Sequence, residues 1–269
     1  MRVVFTTLLL LFLSLASEAQ SPWRLIWSDE FSGPANSPPN ASKWLHDLGG
    51  GGWGNRELEV YTDRPQNAFQ DGKGHLIIRA IRTEEGRYTS SRLKTKGSFA
   101  FTYGKVEARI RIPYGQGVWP AFWMLGADFD DKHWPACGEI DVLENIGKEP
   151  LLVHGTVHGP GYSGGKGISF AYKSQASDRF ADRFHVYSVD WSPNRIVFSV
   201  DGHRYGEVTP SGLPPGSKWV FDHPFFILLN MAVGGEWPGY PDSSSVFPQS
   251  MLVDWIRVWQ RDRVASKVE

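Results

Sequence analysis

Apolar and polar positions alternate with a period of two along most of the chain. In KVEARIRIP (105–113), Val106, Ala108, Ile110 and Ile112 take one face, and Lys105, Glu107, Arg109 and Arg111 the other. That is the pattern of a strand with one wet and one buried face. RIVFSVDGHRY (195–205) sets Asp201-Gly202 between two strand-like runs, which predicts a tight β-hairpin. PFFILLNMAVGG (224–235) is continuously apolar between Pro and Gly, as a strand covered on both faces would be. HLIIRAIR (75–82) and MLVDWIRVWQ (251–260) add two more strands. No stretch carries a long apolar stripe at 3.6-residue spacing, and turn-forming clusters recur at 32–40, 48–55, 159–167 and 211–218. Many short strands between turns predict an all-β fold, a two-sheet antiparallel β-sandwich. Stacked sheets curve, and a concave sheet face is a trough for an extended polymer.

The opening MRVVFTTLLLLFLSLASEAQ departs from this pattern. Arg2 precedes an apolar run from Val3 to Leu15, and Ser17-Glu18-Ala19 forms a small-x-small site. This predicts a signal peptide over 1–19, hence a secreted protein, extracellular or periplasmic. The run is short for a bilayer span, and nothing later is long and apolar enough, so no membrane contact is expected after cleavage. Residues 20–265 are expected to form one domain, with 266–269 a short polar tail. Cys137 is the only cysteine, so this exported chain has no internal disulfide.

Composition narrows the partners. With 269 residues and a formal charge of −1, the chain can bury a large core but lacks the field that would hold nucleic acid. It carries 12 tryptophans, more than packing usually demands. Flat rings with a polar edge bind sugar faces, although most tryptophans in any protein serve its core.

Candidate chemistry lies in WPACGEIDVLENIG (134–147), where Glu139, Asp141 and Glu144 sit among Ile140, Val142 and Leu143. On a helix the two glutamates would stand ~140° apart and could not cooperate. On a strand Glu139 and Asp141 share a face, and Glu144 joins them only if a β-bulge at Val142 or Leu143 absorbs one residue. The glutamate Cα atoms would then lie ~13 Å apart, with ~5–6 Å between carboxyls that lean toward each other. Retaining glycosidases hold their carboxyls about 5–5.5 Å apart, whereas inverting ones leave about 6.5–9.5 Å for a water. Clustered acids cannot all ionise, so one keeps a proton for a leaving oxygen while another attacks. A calcium site or a solvated edge strand are the alternatives. Calcium loops, however, are rich in Gly and Asn rather than Ile, Val and Leu.

GEIDVLENIG resembles the active-site signature of glycoside hydrolase family 16 in its longer E-x-D-x-x-E form, usual in endo-β-1,3-glucanases (laminarinases) and also found in agarases and carrageenases. WSDEFSG (27–33), WGNRELEVYT (53–62), YTSSRLKTKG (88–97) and YGKVEARIRIPYGQGVWPAFWML (103–125) are similar to segments of that family. So are FHVYSVDWSPNRIVFSVDG (184–202), PFFILLNMAVGGEWPG (224–239) and MLVDWIRVWQ, in the same order. The resemblance implies a concanavalin-like β-jelly roll with a cleft on its concave face. It makes Glu139 the nucleophile, Asp141 its helper and Glu144 the general acid/base. It gives Asn55 and Arg92 polar contacts to the sugar, Trp119, Trp123, Trp134 and Trp237 aromatic platforms, and His158 a place beside the acids. Each has a plainer alternative: Trp123 as core, Trp119 as a turn brace, Arg92 as a surface pair partner, His158 as a structural histidine. Trp53, behind four glycines, is expected to cover the cleft. A structural calcium is implied on the convex side at Glu30, Gly72 and Asp254, with no cofactor for catalysis.

The activity so implied is endo-hydrolysis of β-1,3-glucan, with retained configuration, by a monomer. Mixed-linkage β-1,3-1,4-glucan is a second substrate. A non-catalytic glucan-binding protein, an agar- or carrageenan-active hydrolase and a transglycosylase are the alternatives. The glucan-binding relatives lack one or both glutamates, and sulfated galactans call for a basic cleft.

Overall fold

The alternating stretches pair into two stacked sheets in the computed structural model of the protein, which describes residues 22–175 and 178–262. The expected signal peptide (1–19) and tail (266–269) lie outside the described residues. A seven-stranded sheet runs Ile168–Lys173, Leu152–His158, Glu139–Glu144, Val118–Gly126, Phe225–Val233, Arg92–Lys94, Leu45–Asp47. A ten-stranded sheet lies against it, with Gly104–Arg111 and Gln249–Arg261 at its centre. Among the described strands, every pairing is antiparallel except that of Glu59–Tyr61 with Tyr88–Ser90. The expected β-sandwich is thus present.

Sequence pattern explains the layering. Val106, Ala108 and Ile110 alternate inward from one sheet and meet Phe122, Met124, Ile140, Ile227 and Leu229 from the other. Each such side chain, fully removed from water, contributes roughly 1.5–3 kcal/mol to folding. The apolar run Phe225–Val233 is buried at every position. Its odd positions join the core between the sheets. Phe226 and Leu228 face the other way, where they pack with Leu125 and Cys137 under the ring of Trp123. The seven-stranded sheet is therefore apolar on both sides at one end, which explains the run Phe225–Leu229, and Asn230, the polar residue within the strand, bonds Trp123 and Tyr61. The hairpin expected at Asp201-Gly202 forms with φ of 49° and 79°. Those positive values are what a two-residue turn of matching twist requires.

Candidate active site

The strand Glu139–Glu144 lies between Leu152–His158 and Val118–Gly126, paired antiparallel to both. Glu139 pairs with His158 and Asp141 with Thr156, but Glu144 pairs with His154, so three steps on one strand match two on the other. Against the opposite neighbour, Asp141 faces Trp123 and Leu143 faces Phe122, which places the extra residue at Val142. The expected bulge is present. It sends Ile140, Val142 and Leu143 into the core and keeps the three acids on the other face.

Indole donors hold the two glutamates. The Trp134 indole N–H donates to Glu139 Oε2 at 2.5 Å, and the Trp119 N–H donates to Glu144 Oε1 at 3.2 Å. The Thr156 hydroxyl donates to the other Glu144 oxygen at 3.3 Å. His158 Nε2 stands 3.2 Å from Asp141 Oδ2, and potential ligand atoms of Glu139, Asp141 and His158 all lie within 4.8 Å of one another. The strand begins cleanly at Glu139 because Gly138, at φ 75°, takes a left-handed turn that would strain most other residues. Cys137, just before it, packs between Leu125 and Phe226, and burial pushes its thiol up to about 11. It is an inert core thiol.

Low dielectric sets the protonation. Burial is the largest influence on all three acids and raises each. Glu144 reaches about 7, with the charge of Glu139 raising it further and the Trp119 and Thr156 donors opposing. Glu139 and Asp141 are both raised well above the usual carboxylate range and face each other in hydrogen-bonding contact. Two carboxylates in that contact hold one proton between them.

The flanking residues divide into two groups. Trp237, 38% exposed, meets Trp119 edge-on at 5.4 Å and His154 at 5.1 Å, forming one rim beside Glu144. Trp134, 43% exposed, forms the other beside Glu139, tilted over His158 at 6.1 Å. Further along the same face, the Arg92 guanidinium lies between the rings of Trp53 and Trp123, 4.8 Å from each centroid. Arg92 also donates to Asp47 at 3.0 Å. Trp123 donates its indole N–H to Asn230 Oδ1 at 2.7 Å, so it is a partly buried ring anchored at its polar edge rather than plain core. Asn55 is exposed and donates to Glu57 at 2.9 Å.

The residues expected to hold calcium are used differently. Both Glu30 oxygens accept from Arg257, at 3.0 and 2.8 Å, and Asp254 pairs with Arg109. Calcium takes six to eight oxygens. As placed, these carboxylates serve as ion-pair partners.

Sequence reasoning passed over Thr156, His154, Asn230 and the pair Glu57 and Glu59. The first two carried a signal: in LVHGTVH the period of two puts His154, Thr156 and His158 on one face. The others depend on contacts between distant segments.

Known proteins resemble this chain over most of its length. The model of the glycosyl hydrolases family 16 matches residues 55–257. A β-glucanase of Rhodothermus marinus is 40% identical over 253 residues, covering 91% of this chain and 87% of that protein. The endo-β-1,3-glucanase structure from Pyrococcus furiosus superposes with a TM-score of 0.84 at 47% identity, over 90% of this chain and 96% of that one. The laminarinase catalytic domain of Thermotoga maritima gives 0.83 at 44% identity, over 89% and 99%. On the family model and on these relatives, the chain belongs to glycosyl hydrolases family 16.

Proposed function

We propose that the protein hydrolyses internal β-1,3-glucosidic bonds of laminarin-like glucans by double displacement. The observation that carries this reading is the bulge at Val142, which turns Glu144 back beside Glu139 on an open face lined by indoles. Glu144, raised to about 7, retains a proton near neutral pH and protonates the glycosidic oxygen. Glu139 attacks the anomeric carbon, and the proton it shares then resides on Asp141, which hydrogen-bonds the nucleophile. Glu144, now ionised, takes a proton from water, and the glycosyl-enzyme is hydrolysed with the starting configuration restored. Trp119, Trp134 and Trp237 stack on sugar faces, and Asn55 and Arg92 contact their hydroxyls.

The charge of the cleft favours a neutral glucan over a sulfated galactan. Arg92 and Lys94, the basic residues of their strand, both pair with Asp47. Asp47 offsets one of these two cations, and the acids Glu139, Asp141 and Glu144 on the same sheet offset the other, which leaves no excess positive charge for sulfate. Among the described residues no helix is long and apolar enough to cross a membrane. Export of the mature enzyme is inferred from the N-terminal segment alone.

Side-by-side incubation with laminarin, lichenan, agarose and carrageenan tests the proposal. Reducing ends should appear first and fastest with laminarin and vanish in Glu139→Gln. Faster release from a galactan, or unchanged release by the variant, would refute it.

A further inference from the structure

A second pair of carboxyls lies away from the catalytic acids. Glu59 is 1% exposed, its Oε2 accepts the Val233 backbone N–H at 2.7 Å, and its Oε1 has no other donor around it. The carboxyl of Glu57 stands in hydrogen-bonding contact with it. A buried oxygen without a donor beside a second carboxylate is costly unless one of the two groups carries a proton.

This pair lies under a chain of contacts that ends in the sugar-binding face. Glu57 accepts from the Asn55 amide at 2.9 Å and from the Tyr61 hydroxyl at 3.4 Å. Tyr61 in turn accepts from the Asn230 amide at 3.0 Å, and Asn230 accepts from Trp123 at 2.7 Å. The Asn55 carbonyl also takes the Glu236 N–H at 3.0 Å, closing the glycine-rich loop over the sheet. Within that loop Trp53 and Arg56 adopt positive φ, 46° and 57°, which non-glycine residues hold only when their surroundings enforce it.

We propose that Glu57 and Glu59 hold one shared proton and through it act as positioning residues, fixing the Asn55 loop and, by way of Tyr61 and Asn230, the Trp123 ring on which the sugar-contacting Arg92 rests. The inference rests on the glucan-cleft reading for its binding arm only. With the proton present, the pair carries a single charge, opposite the Arg92 guanidinium. Without it, two carboxylates repel beneath the loop. The charged and titratable groups facing the pair are Arg92 and Tyr61, with Asp47 on the far side of Arg92 and the exposed Arg56–Glu236 pair at the loop edge. None supplies a second buried cation. Burial, then the charge of Glu57, pushes the Glu59 carboxyl up to about 9, so the proton leaves only in alkaline solution.

Glu59→Gln tests this, because its amide can accept from Val233 and donate permanently to Glu57. Hydrogen exchange over residues 49–58 is compared at equal pH in the wild type and Glu59→Gln. Above pH about 9 the wild-type loop should exchange at least threefold faster than the variant's, with equal rates at pH 7. In a Glu139→Gln background, the dissociation constant for a laminari-oligosaccharide should rise at least threefold between pH 8 and 10, and stay flat once Glu59→Gln is added. Equal loop exchange at both pH values would overturn the shared proton. An oligosaccharide that binds at no pH would instead refute the glucan reading, with the exchange result still deciding this one. Should Glu59→Gln fail to fold, wild-type exchange of the loop across pH 8–10, referenced to other surface loops, decides: no selective acceleration refutes the proposal.

Discussion

Replacing Trp119 by Phe should move the alkaline limb of kcat/KM upward. The Trp119 indole N–H donates to Glu144 at 3.2 Å, and this contact favours the ionised carboxylate. Phe keeps an aromatic surface against Trp237 but removes the donor. A hydrogen bond to a charged group contributes about 1.5–3 kcal/mol, and a 3.2 Å contact belongs at the low end. One pKa unit corresponds to 1.36 kcal/mol, so Glu144 should rise by about one unit. In the wild type the limb should fall near the Glu144 value of about 7. In the variant it should fall near 8, by the same conversion. The assay is kcat/KM, which reports the free enzyme, from initial rates of reducing-end release at subsaturating laminarin from pH 5 to 9.5. A limb that stays in place, or moves down, would contradict the assignment of Glu144 as the proton donor held by that indole.

Glu144→Gln should stabilise the fold while abolishing turnover. A carboxyl raised from 4.5 to about 7 binds its proton more tightly when folded. Stability is thus full below pH about 4.5 and falls as pH rises toward 7, by on the order of 3 kcal/mol. The variant should melt on the order of 5 °C higher at pH 8 and no higher at pH 4, by differential scanning calorimetry. Deleting Val142 removes the bulge but leaves Glu139, Asp141 and Glu144 alternating on one face of a regular strand. Turnover should therefore survive, unlike in Glu144→Gln, with a lower melting temperature from the lost core side chain. A loss as deep as that of Glu144→Gln would contradict Val142 as the inserted residue. Gly126→Ala would bring a Cβ to 2.0 Å from the Cys137 carbonyl oxygen, just ahead of the catalytic strand. A loss of roughly 1–3 kcal/mol in urea unfolding is expected from such overpacking.

The sheet faces were legible because burial repeats every second residue. Val106, Ala108 and Ile110 were assigned to the core from alternation alone, and the odd spacing of Glu139, Asp141 and Glu144 was enough to require a bulge. Its place at Val142 rather than Leu143 was not legible, because both side chains are apolar and both are buried. The roles of Trp119 and Trp134 as donors to the acids also escaped the pattern. A tryptophan in sequence shows a ring, but the direction of its N–H depends on packing. The Glu57–Glu59 pair was the least visible. In RELEV it reads as two wet positions on an alternating strand, and only the Phe225–Val233 strand and the glycine-rich loop bury it. Glu30 and Asp254 show the reverse: oxygen ligands by composition, yet each faces an arginine supplied by another strand.

The central claim is that Glu139 is the nucleophile of a retaining reaction. A 2-deoxy-2-fluoro glucoside with a good leaving group, linked β-1,3 to one further glucose, should trap the intermediate, and peptide mass spectrometry should place it. The account predicts one adduct, on Glu139, with turnover restored on prolonged incubation. An adduct on Glu144 or Asp141, or none together with products of inverted configuration, would contradict it.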